Sequence, residues 1–357
     1  MDMPCYHPII RIEDTWKWKK ASDGHRYHPA RIFKQEAKNY LERVEEFQKN
    51  ELIDRYKYTQ IPCGQCIGCR LEYSRQWANR GYCESKLWKN NWFVTLTYDD
   101  EHLKIPEDIE DSSGITWCDD GTGSGTLIKE DLTAFIKSVR QIMKREHSQD
   151  NIRFMACGEY GGKTERPHFH VIFFNLNLPL EDLYEPRLIN HEPYYRSHTI
   201  ERAWTKGISN ISECTWNTIA YTARYITKKI KGENSEEYYS RKGQIKEFFR
   251  VSRMPGIGEG YYRKHWKEIY DRDEIIIKNR QGNIATKPPK YFDKLFEAEH
   301  PKEWEEIKAR RKKQAQEANK VKDQKTSIFR AEQLEIEERL KDEETQKLIR
   351  AMEYSTR

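Results

Sequence analysis

Long hydrophobic runs are missing from this sequence of 357 residues. The N-terminal stretch MDMPCYHPIIRIEDTWKWKK has no apolar segment of the kind found in a secretory signal, and no window is long enough to span a bilayer. We therefore expect a cytosolic protein with reduced thiols and no membrane partner. The charged fraction of 34% and the mean hydropathy of −1.00 indicate that only part of the chain forms a packed core.

A nucleotide-binding P-loop is also missing. The glycine-rich segment GTGSG at 121–125 is not followed by Lys-Ser or Lys-Thr, so it is interpreted as a linker, and no Walker motif occurs elsewhere. We therefore expect any DNA unwinding to depend on a separate helicase. The net charge of +5 is compatible with a polyanionic partner but does not identify one.

Three of the eight cysteines, Cys63, Cys66 and Cys69, form the motif CGQCIGC. In a chain without a secretory signal, such spacing indicates metal binding or redox chemistry before disulfides. A structural Zn²⁺ site needs four ligands, so Cys83 or a nearby histidine would have to supply the fourth. Free thiols in a tight turn are the alternative.

The periodicity of the middle of the chain predicts an α+β fold, with helices on a largely antiparallel sheet. The predicted order is strand, helix, hairpin, strand and helix, at residues 92–98, 129–146, 151–174, 207–216 and 218–231. Composition divides the chain into an irregular N-terminal arm with a Cys-rich helical segment (1–90), a core (91–231), a polar lobe (232–300) and a charged tail, helical or partly disordered (301–357).

The helical segment before residue 90 carries an aromatic and basic stripe of Tyr73, Trp77, Arg80 and Glu84. Such a stripe can stack on single-stranded nucleic acid, but amphipathic packing is the interpretation we favour.

The sequence GEYGGKTERPHFHVIFFN at 158–175 places His168 and His170 on the same side of a predicted strand. Glu159 lies on the preceding strand, which a hairpin would pair with that of the histidines. Two imidazoles and a carboxylate suit Mg²⁺ or Mn²⁺ and leave positions open for substrate. A hydrogen-bonded histidine pair beside an ordinary turn carboxylate is the alternative.

The predicted helix TIAYTARYITKKIK separates an apolar stripe from Tyr221, Tyr225 and Lys228. The apolar stripe consists of Ile219, Ala223, Ile226 and Ile230. We expect that stripe to pack on another part of the protein, such as the N-terminal segment. A tyrosine hydroxyl can act as a nucleophile when cations lower its pKa, and Arg224, Lys228 and Lys229 are adjacent in the sequence.

In this order, FVTLTY, GEYG…RPHFHVIFF and YTARYITKK resemble the three motifs of rolling-circle replication initiators of the His-hydrophobe-His (HUH) endonuclease superfamily. Together with CGQCIGCRLEYSRQWA, they resemble the replication initiators of the Microviridae, in particular the gokushoviruses. The resemblance covers most of residues 60–230. It implies an HUH endonuclease fold acting on single-stranded origin DNA in the host bacterial cytoplasm, with a host DNA polymerase and helicase as partners.

The resemblance also implies roles for individual residues. Glu159, His168 and His170 would bind the divalent metal, Tyr221 and Tyr225 would be the nucleophiles, and Lys228 would assist Tyr225. By charge, Arg166, Arg224 and Lys229 are expected to contact DNA. A relaxase or transposase with the same chemistry is the nearest alternative, and a non-catalytic zinc-containing protein that binds single-stranded nucleic acid is the alternative from another class.

Overall fold

The computed structural model of the chain describes all residues except 1–4, 8, 15–18, 21–25, 28–29, 34–55, 105–124, 162–164, 190–191, 229–237, 241, 280–281, 325–329 and 356–357. Its contacts separate two compact units. The larger unit is built mainly from Tyr73–Lys312, and the smaller one combines Asp2–Glu72 with Lys313–Lys347. Whether the four segments predicted from composition fold as separate domains stays a prediction.

The smaller unit contains a three-stranded antiparallel sheet with the order β4-β1-β5. The strands of this part of the chain are β1 (Ile9–Asp14), β2 (Lys19–Lys20), β3 (Arg26–Tyr27), β4 (Ala30–Phe33) and β5 (Tyr56–Ile61). The expectation of an irregular N-terminal arm is therefore wrong for these residues. The central strand pairs with a strand more than forty positions later, and such distant pairing leaves no hairpin signal in the sequence.

The larger unit is organised around a seven-stranded sheet with the order β12-β7-β8-β6-β11-β10-β9, in which all neighbours are antiparallel. Its strands are β6 (Asn91–Tyr98), β7 (Arg153–Tyr160), β8 (Pro167–Phe174), β9 (Leu183–Ile189), β10 (Glu192–Ser197), β11 (Gly207–Glu213) and β12 (Phe248–Val251). A separate hairpin joins β13 (Ile275–Asn279) to β14 (Gly282–Thr286). The predicted α+β class with a large antiparallel sheet is confirmed.

The helices are α1 (Ile67–Ser85), α2 (Lys129–His147), α3 (His198–Ala203), α4 (Trp216–Lys228), α5 (Glu259–Arg272), α6 (Lys290–Glu299), α7 (Pro301–Gln324) and α8 (Arg330–Ser355). Within the described part of the chain, no helix combines the length and apolar character needed to cross a membrane.

Both faces of the large sheet are covered, because side chains alternate along each strand. On one face, Phe169, Val171 and Phe173 of β8 pack against α2 and α3. On the other face, Ile172 and Phe174 belong to a cluster with residues of α1, α4, α5, α6 and α7. His168 and His170 extend this second face toward the end of the sheet where β8 begins.

Two parts of the sheet were not expected. Residues 183–197, interpreted as a variable insert, form the edge strands β9 and β10. Residues 248–251, assigned to an appended polar lobe, form β12 at the opposite edge and pair with β7. Edge strands have one partner and one open side, so their hydrophobic alternation is weaker than that of central strands.

Candidate metal centre

The candidate metal centre lies at the turn end of the β7–β8 hairpin. The register pairs Glu159 with His168 and Cys157 with His170, so both histidines and Glu159 lie on the same face. One ligand atom from each of Glu159, His168 and His170 can be chosen so that all three lie within 4.8 Å of one another. The structure thus brings together the three side chains that the sequence predicts as metal ligands.

Each imidazole is held by its Nδ1 atom and directs its Nε2 atom at the carboxylate. Nδ1 of His168 lies 3.1 Å from the carbonyl oxygen of Arg166, and Nδ1 of His170 lies 3.1 Å from Oγ1 of Thr95 on β6. The two Nε2 atoms lie 2.5 Å and 2.9 Å from Oε1 of Glu159. Partners of this kind fix the ring orientation of metal-binding histidines in proteins.

The donor atoms fit a cation. A carbonyl oxygen can only accept, so Nδ1 of His168 carries a proton, and Nε2 of a neutral ring would then present a lone pair toward the Glu159 oxygen. Such an approach requires a positive charge, either a second ring proton or a metal ion. Oε2 of Glu159 is buried and has no hydrogen-bond partner among the described residues. Two imidazole nitrogens and one carboxylate oxygen could therefore hold a divalent ion.

The electrostatics of the site favour an ionised Glu159. Burial alone would raise the pKa of this carboxyl, but the charges and hydrogen bonds of His168 and His170 outweigh burial and lower the pKa to about 2. The side chains of Glu159 and His170 are 2% and 3% exposed, whereas that of His168 is 18% exposed. Access to the centre is therefore from the side of His168.

Helix α4 places the ring of Tyr221 directly beside the centre. This ring lies 5.0 Å from that of His170, at an interplanar angle of 83°, and 6.1 Å from that of Phe93. Phe93 in turn stacks on His170 with centroids 5.3 Å apart. Tyr221 is half-buried in this aromatic group.

The apolar side of α4 is buried at the same time. Ile219 and Ala223 belong to the apolar cluster that also contains Met155 of the sheet. A Cβ atom placed on Gly81 of α1 would lie 2.7 Å from Cγ2 of Ile219, so the glycine permits a close approach of the two helices. Ile219 therefore packs on α1, within the N-terminal segment as expected, while the tyrosine side of the helix packs as well.

The other predicted site residues are located as follows. Arg166 donates two hydrogen bonds, of 3.1 Å and 2.8 Å, to the carbonyl oxygen of Tyr98 and pairs with the exposed Asp100. Arg224 is half-buried on α4. The backbones of Tyr225 and Lys228 continue α4, but their side chains, and all of Lys229, lie outside the described residues.

The cysteine motif gains its fourth member from a position that the sequence did not suggest. Cys5 joins Cys63, Cys66 and Cys69 in a group of four thiols that could hold a metal ion. The prediction that Cys83 or a histidine completes this group is wrong, because Cys83 is buried in the apolar cluster of the large unit. Only the fold of the N-terminal segment brings Cys5 to the motif.

The aromatic and basic stripe on α1 is largely a packing surface, as favoured from the sequence. The guanidinium of Arg80 lies 4.1 Å from the ring centroids of both Trp77 and Tyr291. Glu84 is 1% exposed, and Tyr73 alone remains open, at 49% exposure. A stripe engaged in this way has little surface left for stacking bases.

Sheet and site together define an α+β protein with a candidate two-histidine, one-carboxylate metal centre beside a tyrosine-bearing helix. Residues 91–230 match a protein family described as replication-associated protein ORF2. This span contains the metal centre and all of α4, so the match covers the site itself. No solved structure matches the chain.

Three phage proteins are similar to the chain over most of its length. It is 37% identical over 275 residues to replication-associated protein ORF2 of Spiroplasma virus 4, covering 76% of this chain and 77% of that protein. It is 31% identical over 274 residues to replication-associated protein VP4 of Bdellovibrio phage phiMH2K, covering 75% and 77%. Replication-associated protein ORF4 of Chlamydia phage 1 is 24% identical over 272 residues, covering 73% and 61%. The chain therefore belongs to the family of replication-associated proteins of Microviridae phages, which confirms the resemblance found in its sequence.

Proposed function

We propose that this protein is a metal-dependent DNA endonuclease and ligase of the HUH type. It nicks single-stranded origin DNA to start, and later to end, rolling-circle replication of a single-stranded DNA phage genome. The observation that carries the proposal is the convergence of His168 and His170 on Glu159 beside the ring of Tyr221. Membership of the family supports a role in phage replication, and the chemistry of these side chains supports the nicking reaction.

Glu159, His168 and His170 would hold Mg²⁺ or Mn²⁺, of which Mn²⁺ accepts nitrogen ligands more readily. When bound, the ion would withdraw charge from a phosphodiester oxygen and stabilise the pentacovalent transition state. The substrate phosphate would enter from the side of His168, the most exposed of the three ligands. The buried rings of His170 and Phe93 would form the rigid wall behind it.

A tyrosine of α4 supplies the nucleophile in this proposal. Its oxygen forms a bond to phosphorus and loses its proton, while the bond to the 3′ oxygen breaks and that oxygen gains a proton. The 5′ phosphate stays on the tyrosine, and the free 3′ hydroxyl becomes a primer for a host polymerase. One phosphate ester replaces another, so the 3′ hydroxyl can reverse the step without ATP.

Two tyrosines one helical turn apart allow this reaction to occur twice. After one round of synthesis, the second of Tyr221 and Tyr225 attacks the regenerated origin, and the released 3′ hydroxyl displaces the first tyrosine to close a circle. Arg224 and Lys228, each three residues after a tyrosine, are positioned in sequence to favour the phenolate by their charge.

A labelled oligonucleotide assay tests this function. The full chain is incubated with Mn²⁺ and with single-stranded origin oligonucleotides labelled at either end, and the products are separated on a denaturing gel. We expect the 3′ label to migrate with the protein and the 5′ label to appear on a shortened free strand. The adduct should be lost in the Tyr221→Phe, Tyr225→Phe double variant and retained in Tyr73→Phe, a control on an exposed tyrosine.

The results separate the competing functions. An adduct formed equally by the double variant would contradict a tyrosine nucleophile on α4. Tight DNA binding without any adduct over an origin-wide set of oligonucleotides would favour a non-catalytic single-strand-binding protein. That alternative is weakened by the packing of Trp77 and Arg80, which would have to supply its stacking surface.

A further inference from the structure

We propose that Cys5, Cys63, Cys66 and Cys69 bind one structural Zn²⁺ ion that fastens the N-terminal segment to the start of α1. The site lies within the smaller compact unit and takes no part in the proposed phosphoryl chemistry. Its four sulfurs come from two parts of the chain, one from Cys5 and three from the CGQCIGC motif 58 or more positions later.

The spacing of the sulfurs matches a single tetrahedral ion. A Zn–S distance of about 2.3 Å in a tetrahedron places two sulfurs about 3.8 Å apart. The Sγ atoms of Cys63 and Cys69 are 3.9 Å apart, as are those of Cys66 and Cys5, and all four lie within 4.8 Å of one another. An iron–sulfur cluster attaches each cysteine to a different iron and would need a wider group.

The surrounding backbone is arranged to accept negative charge on the sulfurs. Five peptide N–H groups direct hydrogen bonds of 3.2–3.4 Å at three of the sulfurs: Tyr6 and Cys69 to Cys66, Gln65 and Cys66 to Cys63, and Cys63 to Cys5. Gly64 supplies the left-handed turn that this arrangement needs, with φ of +75°. Thiolates are much better acceptors than thiols, so these donors favour the deprotonated form that binds metal.

The apolar core around the site is small. Among the described residues it consists of Tyr6, Cys66, Ile67 and Leu334, with a few half-buried neighbours. A core of this size stabilises a fold weakly, and small units commonly depend on a structural metal for the remainder. Zn²⁺ would therefore determine whether Tyr6 and α8 keep their place beside the motif.

Metal analysis of the purified full chain tests the proposal without any DNA, so its outcome does not depend on the proposed nicking activity. We expect about one zinc per chain in the wild type and near zero in Cys5→Ser. Cys214→Ser, which changes a half-buried cysteine outside the group, is the matched control and should retain the zinc. Equal zinc in Cys5→Ser and the wild type, or iron in place of zinc, would overturn the proposal.

Cobalt substitution covers the case in which Cys5→Ser does not fold. The wild-type chain is stripped of zinc with a mercurial reagent, reconstituted with Co²⁺ and examined by absorption spectroscopy. Intense visible bands of tetrahedral Co²⁺ with sulfur charge-transfer bands in the near ultraviolet are expected, and they should disappear on adding about one equivalent of Zn²⁺. Spectra of six-coordinate Co²⁺ without sulfur bands would refute a four-thiolate site.

Discussion

Replacement of Thr95 by valine tests whether the partner of His170 matters for metal binding. Oγ1 of Thr95 lies 3.1 Å from Nδ1 of His170, and His170 is 2% exposed, so water has poor access to replace the lost hydroxyl. Valine has nearly the same shape but cannot hydrogen bond. Loss of such a partner typically weakens metal binding by about 10- to 100-fold, or about 1.4–2.7 kcal/mol. We expect a loss of Mn²⁺ affinity within this range.

The assay is a titration of the full chain with Mn²⁺, in which free Mn²⁺ is followed by electron paramagnetic resonance. Thr97→Val is the matched control. Thr97 lies two residues further along β6, on the same face and opposite His168, but Nδ1 of His168 is held by the carbonyl of Arg166 instead. We expect Thr97→Val to bind Mn²⁺ nearly as tightly as the wild type, and both variants to keep a wild-type melting temperature.

Two results would refute this reasoning. An unchanged Mn²⁺ affinity in Thr95→Val would mean that the threonine does not orient His170. Equal losses in both threonine variants would indicate a general disturbance of β6, and the hydrogen bond would then have no specific role.

Two further predictions concern the fold that supports the site. Glu84→Gln should destabilise the protein by about 3–5 kcal/mol in urea unfolding, because it leaves buried Arg153, 2.6 Å from the carboxylate, without its counter-charge; the exposed-pair control Glu146→Gln should cost less than about 1 kcal/mol, and equal effects would contradict a special role for the buried pair. Gly81→Val should cost about 1–3 kcal/mol and reduce adduct formation, because its side chain would displace Ile219 and with it α4; wild-type stability and activity would show that the close contact is not needed.

The central hairpin could be predicted because its signals are local. The run HVIFF, the glycines near 160 and the alternation of His168 with Phe169 define two adjacent strands and one shared face. Hairpin pairing then requires Glu159 to lie near the histidines. Thr95 and Phe93 carry a weaker signal: alternation in FVTLTY puts them on one face, but only the strand order brings β6 beside β8.

Cys5 could not be predicted because its partners are distant in sequence. Nothing near Cys5 resembles a Cys-x2-Cys motif, and its approach to Cys63 depends on the pairing of β1 with β5. That pairing joins residues about fifty positions apart, whose register the sequence does not specify locally. Cys83 was the nearer choice in sequence, but it lies on a helix that buries it in another core.

The α4 helix explains why a two-sided interpretation of helix periodicity was incomplete. That interpretation assumes one buried and one exposed face, whereas α4 is packed both against the sheet and against α1. Ile219 fills the contact with Gly81, and Tyr221 meets the rings of His170 and Phe93. A half-buried tyrosine has few ways to turn, so its position relative to the histidines is set by packing before any substrate arrives. Reactions that depend on alignment of a nucleophile gain most from such restriction, because the entropy of orientation is lost during folding and not during the chemical step.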